Sequence, residues 1–201
     1  MNEIATYIHL GFRHIVDVEA MDHILFLVAL AAIYRLRDVR SALGVVTAFT
    51  IGHSITLALA VTGVVRLPSA LIEFLIPITI VATGIENLIA SARQKEARGG
   101  WYRAVLAGVF GLVHGAGFAN YLSALFVTRI ALPLFGFNVG IELGQVLVLA
   151  AAAALLTAID RVIGWSRLHS GSWPALRVRI VAVSLVVVAV ASQWAVERRP
   201  W

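Results

Sequence analysis

The sequence of 201 residues contains no cysteine and few charged residues. A chain without cysteine forms no disulfide bond, no thiolate metal site and no cysteine nucleophile. Charged residues make up 13% of the chain, whereas 60% of it is hydrophobic, and the mean hydropathy is +0.90. This composition is typical of a chain whose solvent is largely lipid. The N-terminal residues lack a basic segment and a cleavage site, so we expect no signal peptide.

Apolar runs separated by charge, proline or glycine predict an all-α integral membrane protein, a bundle of about six transmembrane helices forming one domain. The first run is too short to cross a membrane alone. Residues 1–19 are therefore expected to extend it, either as a continuation or as a separate amphipathic helix. The predicted spans are about residues 20–34, 41–65, 68–92, 103–127, 132–159 and 178–196.

The basic residues predict how the chain is oriented. The net charge of +5 is spread between the apolar runs, which argues against a nucleic-acid partner. The positive-inside rule places the first, third and fifth loops in the cytoplasm, and both termini on the outer side. The basic residues of these loops are Arg35, Arg37, Arg40, Arg93, Lys95, Arg98, Arg103, Arg161, Arg167, Arg177 and Arg179.

Ionisable side chains also lie within the apolar runs, where they are costly unless partnered and therefore indicate function. Counted from the charged loops at about 1.5 Å per residue, His23, His53 and His114 lie roughly 17–20 Å from the cytoplasmic boundary. Glu142, counted from Pro133, reaches a similar depth in a hydrocarbon core of about 30 Å. Four helices are thus predicted to bring imidazole and carboxylate groups together near the middle of the membrane.

Further polar residues are predicted beside this group or along a path to it. Asp22 and His23 are about 100° apart around a regular helix, so either the helix is unwound there or one residue holds the other in place. His14 is a further ligand if the outer segment folds back over the site. The remaining candidates are Asp17, Glu19, Ser54, Glu73, Glu86, Asn138 and Gln145.

Imidazole and carboxylate groups without thiolates suit a divalent transition-metal ion such as Ni²⁺, Co²⁺ or Zn²⁺. Small residues flank His114 and predict that another helix backbone approaches it closely. A short internal repeat, Phe49-x-x-x-His53 and Phe110-x-x-x-His114, falls on two predicted helices that run in the same direction.

Four motifs in order carry a resemblance to a known family. They are Leu10-Gly-Phe-Arg-His14 with Met21-Asp22-His23, Phe49-Thr-Ile-Gly-His53, Phe110-Gly-Leu-Val-His114, and Phe137-Asn138-Val-Gly-Ile-Glu142-Leu-Gly-Gln145. In these motifs the sequence resembles the HupE/UreJ family of bacterial membrane proteins. The resemblance implies a multi-pass protein of the bacterial inner membrane, linked to nickel supply for hydrogenase and urease. It also implies metal binding by His14, Asp22, His23, His53 and His114, with Asn138 and Glu142 completing or gating the site.

Several functions fit these residues. The favoured interpretation is a nickel- or cobalt-type permease, which is not an enzyme and binds its ion with release of protons. The alternatives are an intramembrane zinc-dependent hydrolase that uses Ser54 and Glu142, a metal-binding accessory or storage protein, and a b-type cytochrome with His53 and His114 as axial ligands. The expected partners are lipid and the metal ion, with a homo-oligomer or metalloenzyme-maturation proteins as further candidates.

Overall fold

A computed structural model of the protein describes residues 3–35, 38–93, 101–125, 130–165 and 174–201, without the side chains of residues 19, 119–125 and 163–165. Every regular element in these ranges is helical, which confirms the predicted all-α class. The α-helices are α1 (Glu3–Val16), α2 (Met21–Ile33), α3 (Val39–Val61), α4 (Ser69–Ala92), α5 (Trp101–Leu125), α6 (Ala131–Trp165) and α7 (Ala175–Glu197), with a 3-10 turn at Val18–Ala20.

The outer surface of the helices is apolar. Large side chains such as Ile51, Leu155 and Val186 are each more than half exposed. An apolar exterior of this extent is stable in lipid rather than in water, so the fold is that of a helical membrane protein. The described helices that are long and apolar enough to cross a membrane are Val39–Val61, Ser69–Ala92, Ala131–Val162 and Ala175–Glu197, and Met21–Ile33 is apolar but shorter.

The N-terminal segment is a separate helix rather than a continuation of α2, because α1 ends at Val16 and α2 begins at Met21. α1 packs along the first part of α6. The contacts occur in the same order on both helices, since Ile8 meets Gly140 and Ile15 meets Gly144. α1 and α6 are therefore parallel.

α2 also packs along α6. Its C-terminal carbonyls are bound by Arg179, which is paired with Asp160 near the end of α6. α1 and α2 thus lie end to end beside α6, with a break at residues 17–20 between them.

Glycines allow two pairs of helices to pack backbone against backbone. A Cβ atom on Gly111 of α5 would overlap the carbonyl oxygen of Phe49 of α3, and one on Gly115 would overlap that of His53. Gly11 and Gly140 have the same role between α1 and α6. α3 and α5 are parallel as well, because contacts at Phe49 and His53 follow in the same order as Gly111 and Gly115. Such close approach is what small residues permit in membrane helices.

Side chains from other helices bind the carbonyl groups that end α2. The guanidinium group of Arg179 is buried and donates hydrogen bonds to the carbonyl oxygens of Ala32 (3.1 Å) and Tyr34 (3.0 Å). It also forms an ion pair with Asp160 at 2.7 Å. One turn earlier, the side-chain amide of Asn87 donates to the carbonyl oxygen of Ala29 at 2.7 Å. The last carbonyls of a helix have no partner within the helix, so these contacts fix the C-terminal end of α2.

Replacing Arg179 with methionine is expected to destabilise the protein by about 3 kcal/mol, because it leaves Asp160 without its partner and two buried carbonyls without a donor. Thermal unfolding of the detergent-purified protein measures the loss. Arg161, an exposed arginine of α6, gives the matched control, and Arg161→Met should unfold at the wild-type temperature. Adding Asp160→Asn to Arg179→Met should recover part of the loss, and equal unfolding temperatures for Arg179→Met and the control would contradict this role.

Candidate metal centre

Four histidines from four helices come together at the break between α1 and α2. His14 is in the last turn of α1 and His23 is in the first turn of α2, while His53 and His114 lie within α3 and α5. The ring centre of His23 is 4.8 Å from that of His14 and 5.1 Å from that of His114. The ring centre of His53 is 6.1 Å from that of His23 and 6.0 Å from that of His14. α1 brings His14 to the group by continuing in line before α2, not by folding back over it.

His23, His53 and His114 are buried, His14 is half-buried, and all four rings have buried nitrogens without a hydrogen-bond partner. His53 is 0% exposed and His114 is 1% exposed. Among the described residues, the ring nitrogens without a hydrogen-bond partner include Nε2 of His14, Nε2 of His23, both nitrogens of His53 and Nδ1 of His114. Buried polar groups nearly always have a partner, and leaving one unpaired costs free energy. A cluster of such nitrogens therefore indicates a binding site for an ion or a small ligand.

Asp22 fixes the orientation of His23. One carboxylate oxygen, Oδ1, lies 3.0 Å from Nδ1 of His23 and also accepts the backbone N–H of His23 at 2.8 Å. With its proton on Nδ1, the His23 ring presents the lone pair of Nε2 to the cluster. The helix is not unwound at this pair, because α2 is helical from Met21 onwards. The structure therefore has the other predicted arrangement, in which Asp22 holds His23 in place.

Thr79 of α4 fixes His114 in the same way. The Thr79 hydroxyl donates to the carbonyl oxygen of Ile76 at 2.7 Å, so it is an acceptor for Nε2 of His114 at 3.0 Å. The proton of the neutral ring is then on Nε2, and Nδ1 carries the lone pair. One ligand atom from each of Asp22, His23 and His114 lies within 4.8 Å of the other two.

A cavity of about 650 Å³ leads to the cluster. His14, Asp22, His23 and His114 are among the residues that line it. Its walls also carry carboxylates and arginines, which are Asp17, Glu73, Arg13 and Arg198. Arg13 and Asp17 form an ion pair at 3.4 Å on the exposed side of α1. The cavity thus gives polar access to an otherwise buried site.

Other predicted site residues lie between α3 and α6. Glu142 accepts a hydrogen bond from the hydroxyl of Thr47 at 2.7 Å, and Gln145 accepts one from Thr50 at 2.8 Å. The hydroxyl of Ser54 donates to the carbonyl oxygen of Thr50 at 2.6 Å. Glu142 is therefore engaged with α3 and is not in the group formed by Asp22, His23 and His114.

Three more residues were predicted to lie at the site or along a path to it, namely Asn138, Glu86 and Glu19. The buried oxygen Oδ1 of Asn138 has no hydrogen-bond partner within the described part of the chain. Glu86 is paired with Arg103 at 2.6 Å and accepts a hydrogen bond from Tyr102 at 2.5 Å. The side chain of Glu19 lies outside the described residues.

The fold and the site together define a helical membrane protein with a buried cluster of histidines and an adjoining aspartate. Residues 1–198 match the model of the HupE/UreJ protein family, and the chain belongs to this family, as its motifs predict. The family is linked to nickel or cobalt transport and to urease maturation. No curated protein and no solved structure matches the chain.

Proposed function

We propose that this protein is a multi-pass permease of the bacterial inner membrane that carries a divalent transition-metal ion of the nickel or cobalt type. The ion is bound by His14, His23, His53 and His114, with Asp22 beside them. The observation that carries this proposal is the set of buried ring nitrogens without hydrogen-bond partners, contributed by four helices. His14, His23 and His114 line the large cavity, and His53 lies behind them.

The spacing of the rings supports a shared ion. With a metal–nitrogen distance of about 2.1 Å, two imidazoles on one ion have ring centres roughly 4.6 Å apart at about 90° and roughly 5.3 Å apart at a tetrahedral angle. The distances from His23 to His14 and to His114, 4.8 and 5.1 Å, fall in this range. The distances from His53 to His23 and to His14, 6.1 and 6.0 Å, exceed this range, so the ring of His53 must move toward the others to share the ion. Imidazole ligands without thiolates favour Ni²⁺, Co²⁺ or Zn²⁺.

The proposed orientation has six crossings, in which α1 and α2 together form the first and α3 to α7 form the others. Both termini lie on the outer side, and the loops rich in arginine and lysine lie in the cytoplasm. Glu73 near the start of α4 and Arg198 after α7 both line the large cavity, which therefore opens to the outer side in this orientation. A span broken at a central site is a recurrent device of membrane transporters.

The alternative functions have less support. A hydrolase would use Ser54 and Glu142, but these side chains bind the carbonyl of Thr50 and the hydroxyl of Thr47. A haem held between His53 and His114 would need space between α3 and α5, which are in backbone contact at Gly115. A storage protein binds the same ion without moving it, and only transport measurements distinguish it from a permease.

Uptake by reconstituted protein tests the proposal. Proteoliposomes that contain the wild-type protein are expected to accumulate Ni²⁺, Co²⁺ or Zn²⁺ faster than empty liposomes, measured by elemental analysis after removal of external metal. Because the ligands must be deprotonated, uptake should slow as the external pH falls. Binding of the ion to the purified protein without uptake would indicate storage, and metal-dependent turnover of a lipid ester or amide would indicate a hydrolase.

The hydrogen bond from His114 to Thr79 yields a separate prediction. Thr79→Val keeps the side-chain shape but removes the acceptor that holds the proton on Nε2, so cation affinity should fall by about 10–100-fold, as for other partners of metal ligands. Equilibrium dialysis of the purified variant measures the affinity. Thr157→Val is the control, because Thr157 donates only to a carbonyl of its own helix and should bind as wild type does. Equal affinity in the two variants would refute the role of Thr79.

A further inference from the structure

Three of the four histidines have a phenylalanine about one helical turn away in their own helix. They form the pairs His23-x-x-Phe26 on α2, Phe49-x-x-x-His53 on α3 and Phe110-x-x-x-His114 on α5. Residues three or four apart lie on the same face of a helix. The three phenylalanines thus share the faces of the three histidines, and metal binding by the histidines does not explain them.

Two of these phenylalanines close the histidine cluster on one side. Phe26 and Phe49 are 2% and 0% exposed, and their rings are stacked with centres 4.9 Å apart. The ring of Phe49 lies 5.1 Å from that of His114 and 6.2 Å from that of His23. The ring of Phe26 lies 6.2 Å from that of His114. The stacked pair therefore packs against His114 and His23, and it offers no ligand atom to an ion.

A second cavity lies beyond this pair. It has a volume of about 110 Å³, is surrounded by α2, α3, α4 and α5, and is lined by Phe26 and Phe110 at one end. Along α5 its wall runs from Phe110 to Arg103, which is roughly 10 Å of helix. Glu86 also lines the cavity and is paired with Arg103. Most of the cavity wall is apolar, and its charged groups, Glu86 and Arg103, lie at the end away from the phenylalanines.

We propose that Phe26 and Phe49 form the gate between the histidine site and this inner cavity, and that the inner cavity is the exit route of the ion toward Glu86 and Arg103. The inference rests on the proposed permease function and extends it. An apolar constriction excludes water and hydrated ions until its side chains move apart. Movement of the stacked rings then connects the outer cavity, the histidines and the inner cavity into one path. In the proposed orientation, the Arg103 end faces the cytoplasm.

Cysteine accessibility tests the gate, since the chain has no cysteine of its own. Thr83 lines the inner cavity, and Thr83→Cys places a single thiol there. The probe is trimethylammonium-ethyl methanethiosulfonate, which does not cross membranes, applied to spheroplasts or to inverted vesicles. With the gate intact, the thiol should react in inverted vesicles but scarcely in spheroplasts. Adding Phe26→Ala should raise the rate in spheroplasts about tenfold or more and leave the rate in inverted vesicles unchanged.

Controls separate the gate from general loosening of the fold. Phe135 of α6 is 62% exposed, and adding Phe135→Ala to Thr83→Cys should leave both rates as they were. Phe49→Ala should act as Phe26→Ala does, and Phe26→Leu should have a smaller effect because it retains apolar volume. Gel filtration selects the variants that remain folded and monodisperse.

Two results would overturn the gate. One is fast labelling from the outer side with Phe26 and Phe49 both in place, and the other is continued protection in folded Phe26→Ala and Phe49→Ala proteins. The labelling uses no metal, so it reports on the gate alone. Equilibrium dialysis of the wild-type protein with Ni²⁺ reports on the histidine site alone, and the two failures are therefore distinguishable.

Discussion

Replacing His53 with leucine is expected to abolish cation binding while leaving thermal stability unchanged or higher. Both ring nitrogens of His53 are buried without a hydrogen-bond partner among the described residues, so an apolar side chain of similar size removes an unsatisfied polar group. Affinity should fall by about 100-fold or more, because loss of a ligand exceeds the 10–100-fold effect typical of a ligand's partner. Metal accumulation in cells should fall to the level of cells without the protein.

Equilibrium dialysis and thermal unfolding of the same preparation measure both effects. His114→Leu should lose binding as well, but it also loses the contact with Thr79 and should be less stable than His53→Leu. His9 lies on the exposed face of α1, so His9→Leu is the matched control and should bind normally. Wild-type affinity in both His53→Leu and His114→Leu would refute the histidine site.

Alanine at Gly115 is expected to be among the most damaging single substitutions in the protein. Its Cβ would overlap the carbonyl oxygen of His53, and backbone atoms do not move aside as flexible side chains do. α3 and α5 must then separate, which costs about 1–3 kcal/mol or more and displaces His53 from His114. We expect reduced abundance in the membrane, a lower unfolding temperature and loss of cation binding.

Gly44 on α3 provides the control for this substitution. A Cβ atom there meets nothing within 4 Å, and alanine is favoured over glycine in a helix by about 1 kcal/mol. Gly44→Ala should therefore leave the unfolding temperature unchanged or raise it, in the opposite direction to Gly115→Ala. The same direction of change in both variants would show that close packing at Gly115 is not needed.

Hydropathy predicted the helical class because long apolar runs in lipid must satisfy their backbone hydrogen bonds within the helix. It could not locate the break between α1 and α2, because no proline or glycine occurs at residues 17–20. Arg103 and Arg179 were assigned to loops by the distribution of charge, yet both are less than 10% exposed. Their partners come from other helices, and no spacing along the chain indicates such a contact.

The candidate site was partly predictable for a related reason. Depth along a helix follows from the rise per residue, and this placed His23, His53 and His114 at one level. Rotation about the helix axis is not fixed by depth, so Glu142 was assigned to the same group although its carboxylate contacts Thr47. The contact between Thr79 and His114 joins α4 to α5, and it depends on how those helices pack.

The pairing of helices through glycine has a mechanical consequence. One tightly packed pair, α1 with α6, carries His14. The other pair, α3 with α5, carries His53 and His114, and His23 lies on the short helix α2. The two pairs are also joined by the hydrogen bonds of Thr47 and Thr50 on α3 to Glu142 and Gln145 on α6. An ion held by the histidines would add a further connection between them. Loading with metal should then protect the protein against heat and proteases, and the protection should grow with the logarithm of the ion concentration above the dissociation constant.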